Sequence, residues 1–340
     1  MLEIKNHTPL TAEIIPGLDK NGYDYAALII KGNFTLNPAN PNLLLSQQPA
    51  KLVKADKYYD EADNSSVQYE SDICILKPGT DIVLNGHAYP QNNQMAKMID
   101  VGLQINNTNI NYRIFGDRQW DKNGLSWNAT APKAFDRMPL TYENSFGGVD
   151  VSTLEDEVVQ YSEFNPIGKG FVGNKKSPTE GLQLPNIENP HKLISQYSDR
   201  PVPAGFGFIS RSWQPRSNLA GTYDANWEEN RQPLLPLDFD EKYFNAAHPN
   251  LITPQHLVGG EQIQLRNLSQ LGDINFVLPA WTAPVKVTVK GRSKSIKPVL
   301  DTVVIEPDIN NVSLTWRVTM PCYKQFLYIN SITIGRKQKS

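Results

Sequence analysis

Hydrophobic and polar residues alternate with a period of two over most of the chain outside its centre. Segment 25–36 places its apolar residues on one face and Lys31, Asn33 and Thr35 on the other. Because successive side chains of a strand point to opposite faces, this pattern predicts a half-buried strand. The same alternation predicts strands at 71–76, 81–88, 97–105, 110–115, 285–289, 299–305, 312–320 and 326–334.

Turn-forming residues separate these strands. Lys77-Pro-Gly-Thr80 predicts a tight turn joining 71–76 to 81–88, because proline fixes φ and glycine tolerates a positive φ. Only 240–247 has a helical pattern, which ends before His248-Pro249. Short strands with a turn about every ten residues indicate a mostly β protein, an antiparallel sandwich or open barrel with little helix.

The segment between Ala131 and Gly260 departs from this alternation, since it holds 13 of the 25 prolines and 11 of the 22 glycines. Proline and glycine disfavour regular strands, yet the segment is too aromatic for a disordered linker. We therefore predict ordered irregular structure packed on the sheets, where function is often located. The predicted organisation is a strand meander at 1–131, this segment at 132–261 and further strands at 262–340, intertwined in one unit.

The composition of the chain indicates which classes of partner and which cellular compartment to expect. A net charge of −2 and a pI near 6.2 lack the basic footprint of a nucleic-acid binder. Cys74 and Cys322 each lie in an apolar run, which predicts two reduced, buried thiols. The sequence has no secretory leader and no apolar run long enough to span a bilayer, so we expect a cytoplasmic protein without membrane insertion.

The sequence does not match the known cofactor-binding, metal-binding and catalytic motifs in the structural context that they require. Gly168-Lys-Gly-Phe-Val-Gly173 matches G-x-G-x-x-G, but prolines flank it where a strand and a helix are required. The five histidines include no pair at metal-ligand spacing, and there is no G-x-S-x-G motif. We therefore expect no metal and no cofactor.

Two hypotheses about the charged and aromatic residues of the centre stay open. Paired carboxylates beside aromatic rings would suit a carbohydrate-active hydrolase, with the candidates Glu143, Asp224, Asp238, Asp240 and Glu261. Alternatively, aromatic and arginine side chains on a rigid frame are typical anchors for a protein partner. The candidate anchors are Tyr142, Phe146, Arg211, Trp213, Arg216, Tyr223, Trp227 and Phe239. A third interpretation is that most of these residues are core.

The centre contains several long, unusual sequence phrases that follow one another in a fixed order. They are Phe135–Gly148, Asn165–Phe171, 184–188, Pro203–Arg216, Ala220–Trp227, 235–240, 244–247 and 259–261. With these phrases the chain resembles an uncharacterised family encoded in bacterial type VI secretion gene clusters, whose members look like adaptors or chaperones for effectors with PAAR-type tips. One departure is Asn144-Ser145, where the family pattern would place an arginine and a small residue.

The resemblance implies a function without catalysis. It implies that the protein binds a secreted effector, or the PAAR-like domain of that effector, and promotes its stability and its loading onto the VgrG spike. It carries no catalytic residue and no cofactor to this sequence.

Overall fold

The computed structural model describes residues 2–173, 178, 180–322 and 326–336. The strands β1–β24 of these residues are, in chain order, Glu3–Asn6, Thr11–Leu18, Asp24–Asn37, Asn40–Leu45, Lys57–Tyr58, Val67–Tyr69, Thr80–Leu84, His87–Ala88, Met98–Ile105, Thr108–Phe115, Trp120–Asn123, Ser126–Ala129, Met138–Pro139, Phe146–Gly147, Lys169–Gly170, Ile187–Glu188, Ile252–Thr253, Gln262–Arg266, Ile274–Val277, Val285–Val289, Arg292–Ile296, Val299–Glu306, Asn311–Pro321 and Ile329–Ile334. The α-helix α1 spans Ala225–Asn230, and 3-10 turns span Gln91–Asn93, Tyr142–Asn144, Val151–Thr153, Ser217–Leu219, Glu241–Phe244, Pro249–Leu251, Pro307–Ile309 and Phe326–Tyr328. The protein is mostly β, as the alternation predicts.

One large sheet of twelve strands curls as a half barrel. Its order is β16, β10, β9, β18, β19, β4, β3, β23, β22, β7 and β17, with β2 paired to β3. β23 lies between β3 and β22 and is antiparallel to both, so strands from the two ends of the sequence are neighbours. A smaller sheet has the order β1, β24, β20, β21.

One face of the large sheet carries the main hydrophobic core. Leu28 and Ile30 of β3 lie there with Leu314 and Trp316 of β23, all almost fully buried. Trp281 packs on Trp316 with ring centroids 5.2 Å apart. Since burying one large aliphatic side chain stabilises a fold by roughly 1.5–3 kcal/mol, this face supplies most of the driving force for folding.

The predicted strand is present as β3, but the opposite face of its N-terminal part is also buried, so the strand is half-buried only over its last residues, 33–37. Ala26–Gly32 is buried throughout. On this second face Lys31 donates to Asp72 at 2.7 Å, and Arg317 pairs with Asp301. Lys31 therefore lies against a covering layer of loops, whereas Thr35 of the same alternation is exposed to solvent.

The predicted hairpin of 71–76 and 81–88 is also wrong. Residues 71–76 form no strand, and β7 pairs instead with β22 and β17. The carbonyl groups of Asp72 and Cys74 accept from the Arg317 guanidinium, and that of Ile75 accepts from the Thr319 hydroxyl. Side chains of β23 thus replace the strand ladder that the alternation predicts.

The predicted and observed helices differ in two regions. Only Glu241–Phe244 of the predicted helix 240–247 is helical, as a 3-10 turn, because the amide of Ala246 donates to Asp81 at 2.9 Å instead of continuing the helix. α1 lies where no helix was predicted and begins at Asp224, whose carboxylate accepts from the Trp227 amide. In segment 326–334, a 3-10 turn precedes β24.

The pair Asp301–Arg317 provides a direct test of the buried polar face. Asp301→Ala leaves a buried guanidinium without its carboxylate, so we expect the free energy of unfolding to fall by about 3–5 kcal/mol. Urea denaturation measures this change. Asp100→Ala, which breaks the more exposed pair with Arg113, should cost only about 0–1 kcal/mol. An equal, small loss in both variants would contradict a buried ionic face.

Candidate functional site

Two of the central phrases are held together by one buried asparagine. The Asn165 side-chain amide donates to the carbonyl groups of Tyr142 and Phe146, at 2.8 and 3.0 Å. β14 and β15 pair in parallel next to it. A Cβ on Gly147 would lie 2.1 Å from the Asn165 carbonyl oxygen, so only glycine fits there. The phrases Phe135–Gly148 and Asn165–Phe171 are therefore one packed unit.

Tyr142 joins this unit to the phrase Pro203–Arg216. Its ring meets that of Trp213 edge-on, with centroids 5.7 Å apart, and Ile209 completes the small cluster. A Cβ on Gly205 would lie 2.8 Å from the Tyr142 ring, which explains the glycine in this phrase. The three side chains are almost fully buried.

Arg216 connects the same phrase to other segments of the loop layer. It is 5 % exposed, and its guanidinium donates to the carbonyl groups of Ile209 and Tyr243, both at 2.8 Å, and to the Glu70 carboxylate. These acceptors belong to three separate segments. All three guanidinium nitrogens are used, which a lysine at this position could not reproduce.

Glu70 and Asp81 continue the ionic network below Arg216. Lys77 donates to Asp81 at 2.7 Å and lies 3.7 Å from Glu70. Burial acts to lower the pKa of Lys77, but the two carboxylates outweigh it and raise the pKa. Asp81 also accepts from the side chain of Asn245 and the amide of Ala246. The loop segment 243–247 is thereby anchored to β7.

Two adjoining apolar clefts open where these loops meet. The Tyr142 cleft has a volume of about 390 Å³ and is lined by Tyr112, Tyr142, Pro203, Lys192 and His248 among others. The Arg216 cleft has a volume of about 420 Å³ and is lined by Pro78, Arg216, Leu219, Lys242 and Ile252 among others. Both are lined by Ile209, Pro215 and Pro249, which form the ridge between them.

Two buried polar side chains of the Tyr142 cleft have hydrogen-bond partners within the protein. Tyr112 donates to the carbonyl of Gly205 at 3.3 Å, and His248 accepts from the amide of Asn250 at 3.2 Å. Burial lowers the pKa of His248 to about 4, against the opposing effect of a hydrogen bond to the Pro203 backbone. The Tyr142 hydroxyl differs, because it is buried without a hydrogen-bond partner among the described residues.

The structure separates the eight predicted anchor residues. Five of them are buried in the loop layer, although two of these, Tyr142 and Arg216, also line a cleft: Tyr142, Phe146, Trp213, Arg216 and Phe239. Arg211 is partly exposed and lies 3.4 Å from Asp56. Tyr223 is 55 % exposed and packs on the half-buried Trp227, with centroids 4.6 Å apart. These last three remain at the surface.

The five candidate carboxylates of the hydrolase hypothesis all accept hydrogen bonds from backbone amides. Glu143 accepts from Ser66, Asp224 from Trp227, Asp238 from Thr222, Asp240 from Lys242, and Glu261 from Val258 and Gly259. Asp224, Asp240 and Glu261 therefore hold local turns or helix starts, whereas Glu143 and Asp238 connect segments that are 77 and 16 residues apart. None of them lines either cleft, so the geometry gives the hydrolase hypothesis no support.

The described part of the chain also offers neither a metal-binding cluster nor an activated Cys74 thiol. Among those residues no cluster of three histidine, cysteine, aspartate or glutamate side chains could hold a metal ion. Burial raises the pKa of the Cys74 thiol to about 11, so this thiol is not an activated nucleophile. The role of prolines in lining the clefts was not predicted, because a proline in the sequence indicates only a break in regular structure.

Residues 21–317 match the model of a protein family described as "uncharacterized protein conserved in bacteria (DUF2169)". The chain belongs to this bacterial family. The matched range contains all the central phrases and the lining residues of both clefts. No match was found among curated proteins or among solved structures. No helix in the described ranges is both long and apolar enough to cross a membrane.

Protonation of His248 tests the packing of the Tyr142 cleft. An unfolded histidine takes up a proton near pH 6.5, whereas His248 does so only near pH 4. The contribution of neutral His248 to the free energy of unfolding is therefore fully present above about pH 6.5. It is lost as the pH drops towards 4, by up to about 1.4 kcal/mol per pH unit. Urea unfolding of the wild type and of His248→Gln should show a difference in stability that shrinks with falling pH.

His191→Gln is the matched control, because His191 is exposed and its removal should leave the pH dependence unchanged. Identical pH dependences in the wild type and His248→Gln would mean that His248 is not held neutral in the cleft wall.

Proposed function

We propose that the protein is an adaptor or chaperone of a type VI secretion apparatus. It binds a secreted effector, or the PAAR-like domain of that effector, and promotes the stability and loading of its cargo onto the VgrG spike. The proposal has two supports of different kinds. The family phrases give the biological setting through the resemblance, and the adjoining clefts give a surface that can bind a polypeptide.

The observation that carries the proposal is the apolar lining of the two clefts. No aspartate or glutamate is among their described lining residues, while prolines and aliphatic side chains dominate. Such walls favour apolar side chains of a partner through the hydrophobic effect. The volumes lie near the low end of the ~300–1,000 Å³ usual for ligand clefts, so each suits a few side chains rather than a large cofactor.

The walls are also rigid, which favours binding. Arg216 holds the ridge residue Ile209, and Tyr142 is packed between Trp213 and Gly205. A preformed cleft loses little conformational entropy when a partner binds, so more of the contact energy contributes to affinity.

Strand addition at the small sheet is the less suitable mode. β21 is one of the two edge strands there, the other being β1, and Arg292 and Lys294 of β21 lie opposite Val289 and Val287 of β20. Arg292 and Lys294 are both exposed. Charged side chains on an edge strand oppose pairing with a further strand. We therefore assign partner binding to the clefts.

Co-expression with the effector and spike proteins encoded beside this gene tests the adaptor proposal. We expect one of these effectors to form a complex with the wild type that survives size-exclusion chromatography. A chain that stays alone with every effector and spike protein of its cluster would overturn the proposal.

A matched pair of variants tests whether the clefts carry that binding. Val202 lines the Tyr142 cleft and is 59 % exposed, so Val202→Asp adds a charge to the apolar rim without affecting the core. Val258 is 62 % exposed and lines neither cleft. We expect Val202→Asp to weaken the complex at least about tenfold and Val258→Asp to leave it unchanged. Equal affinities would remove the clefts from the binding surface.

A further inference from the structure

We propose that the Tyr142 cleft binds the C-terminal residue of a partner polypeptide, with an apolar side chain against its walls and the free carboxylate at Lys192 and Tyr142. This inference rests on the proposed function, because it names the part of the cargo that one cleft takes. It follows from the charge, the hydrogen-bond donors and the shape of the cleft.

Charge within the cleft favours an anionic group. Among the described lining residues, Lys192 is the one side chain charged at neutral pH, because His248 stays neutral there. Lys192 is exposed, and no ion pair is observed for it in the described part of the chain. Glu163 lies nearby but outside the lining, and its carboxylate accepts from the side chain of Gln214 at 2.5 Å.

Side chains are the candidate donors for a carboxylate, because the prolines in the lining reduce the number of backbone donors. Four lining residues are prolines, which have no backbone N–H: Pro201, Pro203, Pro215 and Pro249. Tyr142 is 2 % exposed and lines the cleft, and its hydroxyl has no partner among the described residues. A buried hydroxyl without a partner costs roughly 1–3 kcal/mol, so an occupant that offers an acceptor recovers this loss.

The remaining walls fit one large apolar side chain. Val202, Pro203, Ile209 and Pro215 supply the apolar surface, and the volume of about 390 Å³ is too small for a folded domain. The amide side chains of Asn189, Gln214 and Asn250 also line the cleft, where they can pair with the peptide groups before the last residue. This combination favours the end of a polypeptide over a free fatty acid.

Peptide binding by the full chain tests the inference with a defined probe. The probe is an eight-residue peptide that ends in phenylalanine, prepared with a free carboxylate or a C-terminal amide and titrated by calorimetry. We expect the free carboxylate to bind at least about tenfold more tightly than the amide, since charge-assisted hydrogen bonds are the strong ones. Lys192→Gln should abolish this difference, and Tyr142→Phe should reduce it severalfold.

Lys242→Gln is the matched control, because Lys242 is exposed and lines only the neighbouring Arg216 cleft. It should keep the full difference between the two peptides. Equal affinity for acid and amide, no binding at millimolar peptide, or an unchanged difference in Lys192→Gln would each overturn the inference. Octanoate that binds as tightly as the acid peptide would replace the polypeptide with a free apolar carboxylate.

Complex formation with the effector separates this inference from the adaptor proposal. If Lys192→Gln binds the intact effector as tightly as the wild type, the C-terminal site is wrong while the adaptor proposal stands. If the acid peptide binds as expected but no effector or spike protein forms a complex, the adaptor proposal fails and the site remains.

Discussion

The guanidinium of Arg216 is the interaction on which the candidate site depends. It joins Glu70, the carbonyl of Ile209 and the carbonyl of Tyr243, which are far apart in sequence, and it is almost completely buried. Burying such a charge is unfavourable unless every donor is paired, so the three acceptors are constrained together. Irregular loops without a strand ladder thereby gain fixed positions on the second face of the sheet.

The clefts follow from this constraint. Ile209 forms part of the ridge between them, and the Asp81 carboxylate holds Asn245 and Ala246 beside the Arg216 cleft. Prolines supply the apolar lining, and because they lack N–H groups they leave few backbone donors unsatisfied there. A rigid apolar surface without a lining carboxylate suits recognition of a polypeptide better than acid–base chemistry.

Local alternation predicted the strands at 97–105, 299–305 and 312–320 well, because a period of two indicates an extended segment whichever strand it pairs with. It failed at 71–76, whose carbonyl groups accept from side chains of β23 that are 243 to 245 residues away. It also could not distinguish a catalytic carboxylate from one that joins two loop segments, as Asp238 does by accepting from the Thr222 amide. Walls built from Pro203, Pro215 and Pro249 exist only after folding, so the clefts had no local signal.

Amide hydrogen exchange of Arg216→Lys tests the central claim most directly. Lysine keeps the positive charge near Glu70 but cannot hold three acceptors in one plane. The account predicts that the amides of Ile209 and Asn245 exchange at least about tenfold faster, while Val101 in β9 keeps its protection. Unchanged exchange at Ile209 and Asn245, or an equal acceleration in β9, would contradict the role assigned to Arg216.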